Sequence, residues 1–445
     1  MAFKGFFGRG REAQPTPPPH QRKAELSDPE GISDEGELED PEHAPELAPE
    51  RSWRERADSV LPTGASTGSK RAEALYGLAE AEGPTHFASA RGCRVTTTDG
   101  EQFLDCTMAL GAVALGYAEP RVTRAVIDAA SQGSVSALSS WREVELAERL
   151  CALIPCAERV QLLKSGAEAT SAALRLARTY TGRDHVVASG YFGWHDWSSD
   201  ASGVPASTRR DLTRVPFDDV HALERAVAAA GATLAAIAIE PVVERLPSPA
   251  WLARARALCD AAGAVLIFDE VKTGFRLAPG GYQEVSGVVP DLASFGKAMA
   301  NGFPVAAVVG RQPLMEAARS TWISSTLASE STALAAALAV LDWHDEADIA
   351  ATLAETGREM RAAVDRAIEA SGLDGVRTDG LDAMWLMRWD DAARECRFLL
   401  NAVHEGVLFK RGAYNFAAVA HDEDALRDIE AAASAALVAL AEEAP

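Results

Sequence analysis

Cysteine is scarce in this 445-residue chain: there are six, and none forms a C-x-x-C pair. That argues against a disulfide scaffold or a structural zinc site. Cys93, Cys106, Cys151, Cys156, Cys259 and Cys396 read instead as buried thiols of a reducing, cytoplasmic protein, and no metal is expected. Basic residues are in deficit, 43 Lys+Arg against 65 Asp+Glu, for a net charge of −22. Nucleic acid and anionic membrane surfaces are therefore not expected partners. No apolar run approaches the length of a bilayer span, which speaks against a transmembrane protein. Met1–Gly10 offer only Phe3, Phe6 and Phe7, too few for a secretory signal core. What remains, 47% hydrophobic and 24% charged, is an ordinary globular composition. The length allows two or three domains, or one large α/β unit with appendages.

Residues 1–50 stand apart, with 8 of the 22 prolines and 12 acidic against 5 basic residues. From Glu25 to Glu50 there is no aromatic residue. Such a segment buries too little apolar surface to offset its ordering entropy, so residues 1–55 are expected to be a disordered acidic tail. A docking role for Phe3, Phe6 and Phe7 is the sharper alternative to a solvating tail.

Beyond the tail, apolar β-branched runs alternate with helical patterns. Strands are expected at Val160–Leu163, His185–Ala188, Leu234–Ile239, Ala264–Phe268 and Val305–Val309. Helices are expected at Glu168–Tyr180, Leu223–Ala230 and Trp251–Ala262. This order predicts an α/β fold with a mostly parallel sheet covered on both faces, and ligands at the carboxyl ends of its strands. The Ala-rich region from about Ala336, with a strand at Met384–Trp389, reads as a smaller domain. The expected division is 56–107 and 336–445 for that α+β domain, and 108–335 for the large domain.

Four strand ends carry chemistry. Val160–Leu163 runs into Lys164-Ser165-Gly166-Ala167-Glu168 and then a helix; its N-terminus suits a phosphate, or Ser165 is simply a cap. Gly190-Tyr191-Phe192 follows the next strand, and its aromatics either stack on a flat ligand or fill the core. Ala264–Phe268 ends in Asp269, a ligand group or a salt-bridge partner. Pro290-Asp-Leu-Ala-Ser-Phe-Gly-Lys297 ends in a lysine that can form a Schiff base if partly neutral. Each alone is weak. Together, in this order, they are the parts of a pyridoxal phosphate site: a phosphate nest, a stacking ring, an Asp for the pyridine nitrogen and a Lys for the aldehyde.

The chain resembles the class III pyridoxal-phosphate-dependent aminotransferases of fold type I, and within them the branch containing glutamate-1-semialdehyde aminomutase. The text that carries this includes Val95–Asp105, Leu115-Gly116-Tyr117, Glu143–Ala147, Leu174–Arg178 with Thr181–Asp184, Glu240-Pro241, Phe268–Arg276 and Gly296-Lys297. The resemblance covers roughly residues 60 to 435. It implies that Lys297 is the Schiff-base lysine and Asp269 the pyridine-nitrogen partner. Val271 and Tyr191 would lie on the two ring faces, with Ser165, Gly166 and Ala167 at the phosphate and Glu240 beside the cofactor. Thr326 would reach the phosphate of a neighbouring subunit, in a homodimer with shared active sites.

The resemblance also has gaps. Ala167 stands where the family usually has Thr or Ser, a lost phosphate contact worth on the order of 1.5–3 kcal/mol. Phe192 stands where His is common, which makes the pocket drier. Thr326-Leu-Ala-Ser-Glu-Ser331 has no glycine, unlike the mobile loop of the aminomutase branch. The acid-gripping Arg is unmatched, with Lys70, Arg71 and Arg411 as substitutes and Trp141 as a candidate pocket wall. The implied activity is amino-group transfer from a small amine or amino acid to a carbonyl compound, as an aminotransferase or an intramolecular aminomutase. The alternatives are racemase or decarboxylase chemistry on the same fold, or a catalytically lapsed scaffold that binds partners through its acidic tail.

Overall fold

A computed structural model describes residues 51–78 and 82–442. Residues 1–50 of the expected tail lie outside the described residues. The boundary placed at 55 falls inside a helix, Trp53–Val60, which Ser52 and Glu55 start with a reciprocal capping box.

Strands β1 (Phe87–Arg91), β2 (Arg94–Thr97) and β3 (Gln102–Asp105) form an antiparallel meander. The large sheet follows: β4 (Arg159–Leu163), β5 (His185–Ser189), β6 (Leu212–Arg214), β7 (Leu234–Ile239), β8 (Val265–Asp269), β9 (Leu292–Phe295) and β10 (Ala306–Gly310). Their spatial order is β4-β10-β9-β8-β7-β5-β6. From β9 to β6 all neighbours are parallel, and β10 runs antiparallel to β9 and β4. All five expected strands form, with ends shifted by at most one residue. Two strands were not among them: β6, a three-residue edge strand without an apolar run, and β9, which the sequence shows only as a short apolar segment before Lys297.

The two faces separate by residue parity. Ala236, Ala238, Val265, Ile267 and Ala306 meet the Ala-rich face of helix Gly166–Thr181. Ile237, Ile239, Leu266, Phe268 and Val309 join the core that includes helices Val220–Ala230 and Pro249–Ala262. Buried on both sides, β7 and β8 read as the continuous apolar runs LAAIAI and VLIF.

The C-terminal region adds β11 (Val376–Leu381), β12 (Met384–Trp389), β13 (Val407–Leu408) and β14 (Asn415–Phe416). β13 pairs in parallel with β3, so the chain before Met108 and the C-terminal third share one sheet. The boundary drawn at Ala336 falls inside helix Ser331–Glu346, which Glu330 caps and which packs on helices Pro120–Ser131 and Trp141–Leu153. No described helix is long and apolar enough to cross a membrane.

Candidate active site

The carboxyl ends of β4, β5, β7, β8 and β9 lie on one edge of the large sheet. The residues that follow them border a cavity of about 640 Å3. It brings together Lys164, Ser165, Gly166 and Ala167 after β4, Tyr191 and Phe192 after β5, Glu240 after β7, Asp269 and Val271 at β8, and Lys297 after β9.

The helix Gly166–Thr181 begins at Ser165, whose side chain accepts from the Glu168 amide at 3.3 Å while Glu168 Oε2 accepts from the Ser165 amide at 2.9 Å. The capping box leaves the amides of Gly166 and Ala167 for an anion. Gly166 is required by space: a Cβ there would stand 2.9 Å from a methyl of Val271.

Asp269 is 6% exposed and accepts from the Val271 amide at 3.0 Å. Burial, helped by the negative charge of Glu240, pushes its carboxyl up to about 7. Glu270, next along the chain, turns to the other face and is absorbed by Thr273 and the amides of Tyr282 and Gln283. Lys297 sits at φ 48° in the turn after β9, a backbone conformation with a cost of about 1 kcal/mol or more for a residue with a Cβ. Asn301 closes this turn, accepting from the amides of Ala114 and Leu115 and donating to the Gly116 carbonyl. Burial first, and then the charge of Lys272, lower the proton affinity of the Lys297 amine.

A second wall comes from distant sequence. Met108, Ala109, Leu110 and Gly111 are all left-handed, with φ from 41° to 77°. Asp105 holds the entrance to this turn by accepting from the Thr107 amide at 2.6 Å and from the Tyr117 hydroxyl at 2.6 Å. Leu110 and Ala112 then face the cavity, opposite Phe303, Tyr414 and Phe416. Lys272, also on the cavity, pairs with Glu240 at 2.7 Å.

Other expected residues fall elsewhere in the single chain. Thr326 is exposed in the loop before helix Ser331–Glu346. Trp141 is 60% exposed at the start of its helix. Lys70 and Arg71 border a separate polar cavity with Arg54 and Asp58. Arg411 donates to the Glu73 carbonyl and lies 3.9 Å from Glu395. Phe192 borders the site, but its ring is 2% exposed and packs against Trp197 in the core under helix Gly166–Thr181. Sequence reading missed Lys272, Tyr414 and the left-handed turn. Only Lys272 left a signal, a cation three residues beyond the strand-end Asp.

The arrangement fits pyridoxal phosphate on its own terms: free amides at a helix start, a buried carboxylate, an amine whose proton affinity is lowered by burial, and Val271 and Tyr191 bordering the same cavity. A family model described as aminotransferase class III matches residues 78–419. A 3-aminobutyryl-CoA aminotransferase of Cloacimonas acidaminovorans is 34% identical over 336 residues, 74% of this chain and 80% of that protein. A glutamate-1-semialdehyde 2,1-aminomutase of Polynucleobacter necessarius subsp. necessarius is 32% identical over 85% of this chain and 96% of its own. The FumI protein of Sphingopyxis sp. MTA144, solved in its PLP internal aldimine form, superposes with a TM-score of 0.84 at 27% identity, over 88% of this chain and 96% of that one. The fold is fold type I, the cofactor is pyridoxal phosphate and the chemistry is amino-group transfer. The chain belongs to the class III aminotransferases.

Proposed function

We propose that the cavity at the carboxyl edge of the large sheet is the active site, with Lys297 and Asp269 as its catalytic residues. The observation that carries this is a convergence: Lys297, Asp269 and the free amides at the start of helix Gly166–Thr181 border one cavity, where burial makes the amine easier to deprotonate and the carboxyl easier to protonate. Pyridoxal phosphate, when bound, supplies an electron sink for the bonds at the substrate's amine-bearing carbon. Lys297 would hold the cofactor aldehyde, and its nitrogen, when neutral, would be the base that moves the proton of that carbon. Asp269 would be the carboxylate that keeps a proton on the ring nitrogen. The amides of Gly166 and Ala167 would receive the phosphate, and Val271 and Tyr191 would flank the ring.

The substrate in this reading is an amine with an apolar body, given up to a separate carbonyl acceptor. Trp194, Val243, Phe303 and Tyr414 line the cavity, and two of its lysines, Lys164 and Lys272, are already paired with Glu330 and Glu240. The active unit is a homodimer in which Thr326 serves the site of a second copy. Leu138 (81% exposed) and Trp322 (82% exposed) supply apolar surface on the loops that Ser331 ties together through Ser134 and Ser140. Six free cysteines fit a cytoplasmic protein.

The test is the visible spectrum of the protein loaded with pyridoxal phosphate, beside Lys297→Ala. A band present only with Lys297, bleached by apolar amines and not by dicarboxylic ones, supports the reading. Its absence in the unmutated protein refutes it.

A further inference from the structure

Three lysines border this cavity, Lys164, Lys272 and Lys297, and of these only Lys297 has no partner among the described residues. Lys272 Nζ has three: Glu240 Oε1 at 2.7 Å, the Tyr414 hydroxyl at 3.1 Å and the Val243 carbonyl at 3.3 Å. These use all three donors of an ammonium group. The Lys297 amine makes no hydrogen bond or ion pair among the described residues. Lys272 is buried and Lys297 is half-buried.

The clamp on Lys272 is itself rigid. Tyr414 donates to the Val243 carbonyl at 2.6 Å, and the second oxygen of Glu240 accepts from the Tyr191 amide at 3.1 Å. We infer that Lys272 is a positioning residue for Lys297: pinned by Glu240 and Tyr414, it fixes a positive charge in the cavity that works against a second one on the Lys297 nitrogen. The inference rests on the reading of Lys297 given above.

The charges that face Lys297 are Asp269 and Glu240, which favour a proton on it, and Lys272 and Arg276, which oppose one. Burial opposes it most. On Lys272 the balance is reversed: burial works against its charge, but Glu240 and Tyr414 outweigh that and hold its proton more firmly than usual. Replacing Lys272 by a neutral side chain removes a repelling cation and strips Glu240 of its counter-charge. Both changes make the Lys297 nitrogen more basic, whether it is a free amine or joined to the cofactor.

The experiment is a pH titration of the Lys297-dependent visible band in the cofactor-loaded protein and in Lys272→Met, Lys272→Gln and Lys272→Arg. The neutral variants should raise the midpoint by about one pH unit or more. Lys272→Arg should restore it to near the original value. Circular dichroism identifies the variants that fold, and Lys272→Gln, which keeps polar contacts, decides the matter if Lys272→Met does not. A midpoint that ignores Lys272 in a folded variant overturns this inference alone. A band that survives Lys297→Ala overturns the reading of Lys297 on which it stands.

Discussion

Gly193 lies so close over Ala167 that a Cβ placed on it would stand 2.5 Å from the Ala167 Cβ, and Gly193 itself holds φ at 87°. The aromatic loop after β5 is thereby seated on the first turn of helix Gly166–Thr181. Thr170 fastens it through the Phe192 carbonyl at 3.0 Å, and Ser171 through His195 at 2.7 Å. Gly193→Ala must lift the loop from the nest amides, and the overpacking and the left-handed backbone together amount to roughly 2–4 kcal/mol. Cofactor affinity, read by spectral titration, should fall at least tenfold. Ala167→Ser adds a hydroxyl beside the same amides and should tighten binding by about tenfold, the value of one charge-assisted hydrogen bond. A serine variant with unchanged affinity would show that the nest is complete without it.

Arg276 holds the cavity's second wall. It is wholly buried and has no carboxylate partner among the described residues. Instead it donates to the carbonyls of Ala383, Ala417, Gly111 and Val113, and lies 4.9 Å from the Phe416 ring centre. Burial lowers its proton affinity to about 9. Arg276→Met leaves those carbonyls unpaired in the core and should destabilise the fold by on the order of 3 kcal/mol. Arg276→Lys should recover only part, since an ammonium group cannot span the fork. Urea unfolding measures both, and an unshifted Arg276→Met midpoint would contradict the role.

The sequence was most readable where chemistry sits at a strand end. Ser165, Asp269 and Lys297 each close or follow a short apolar run, and the parallel sheet carries all of those ends to one edge. The left-handed turn at Met108–Gly111 was not readable, because three of its four residues have a Cβ and nothing in their identity asks for positive φ. What imposes it is Asp105 just before it, which accepts from the Thr107 and Met108 amides, and Arg276 from 165 residues away, which donates to the Gly111 carbonyl. Tyr414 reaches the cavity from more than a hundred residues beyond Lys297, and no local pattern announces such a contact. Lys70 and Arg71 answer to the N-terminal place of the family's acid-gripping Arg, and Trp141 and Arg411 to residue type; none of the four borders the cavity in the single chain.

Trp194 is 73% exposed on the rim of the cavity, beside Tyr191 at 72%. If the amine's apolar body lies against this rim, Trp194→Ala should raise KM for a bulky aromatic amine by about tenfold, the equivalent of one lost apolar contact of 1–2 kcal/mol. A small amine should be unaffected. An equal loss for both would point to disturbance of the loop rather than to substrate contact.

Asp269 gives the cofactor-free protein a pH dependence whose sign can be worked out. Its carboxyl titrates at about 7 in the fold, against an ordinary 3.8, mainly because it is buried and secondly because Glu240 lies near. Below 3.8 the folded and unfolded chains both hold the proton. Between there and 7 only the folded chain holds it, so stability falls as pH rises and the loss is complete above 7. Asp269→Asn keeps an oxygen for the Val271 amide and carries no charge at any pH. Without cofactor, it should match the unmutated protein near pH 4 and exceed it at pH 8 by roughly 2–4 kcal/mol. With cofactor the order should reverse in function, because the neutral side chain cannot hold the ring-nitrogen proton and turnover should drop by orders of magnitude. Thermal melts at the two pH values, with and without pyridoxal phosphate, separate the effects. A variant no more stable than its parent at pH 8 would mean that Asp269 is ionised in the empty site at no cost.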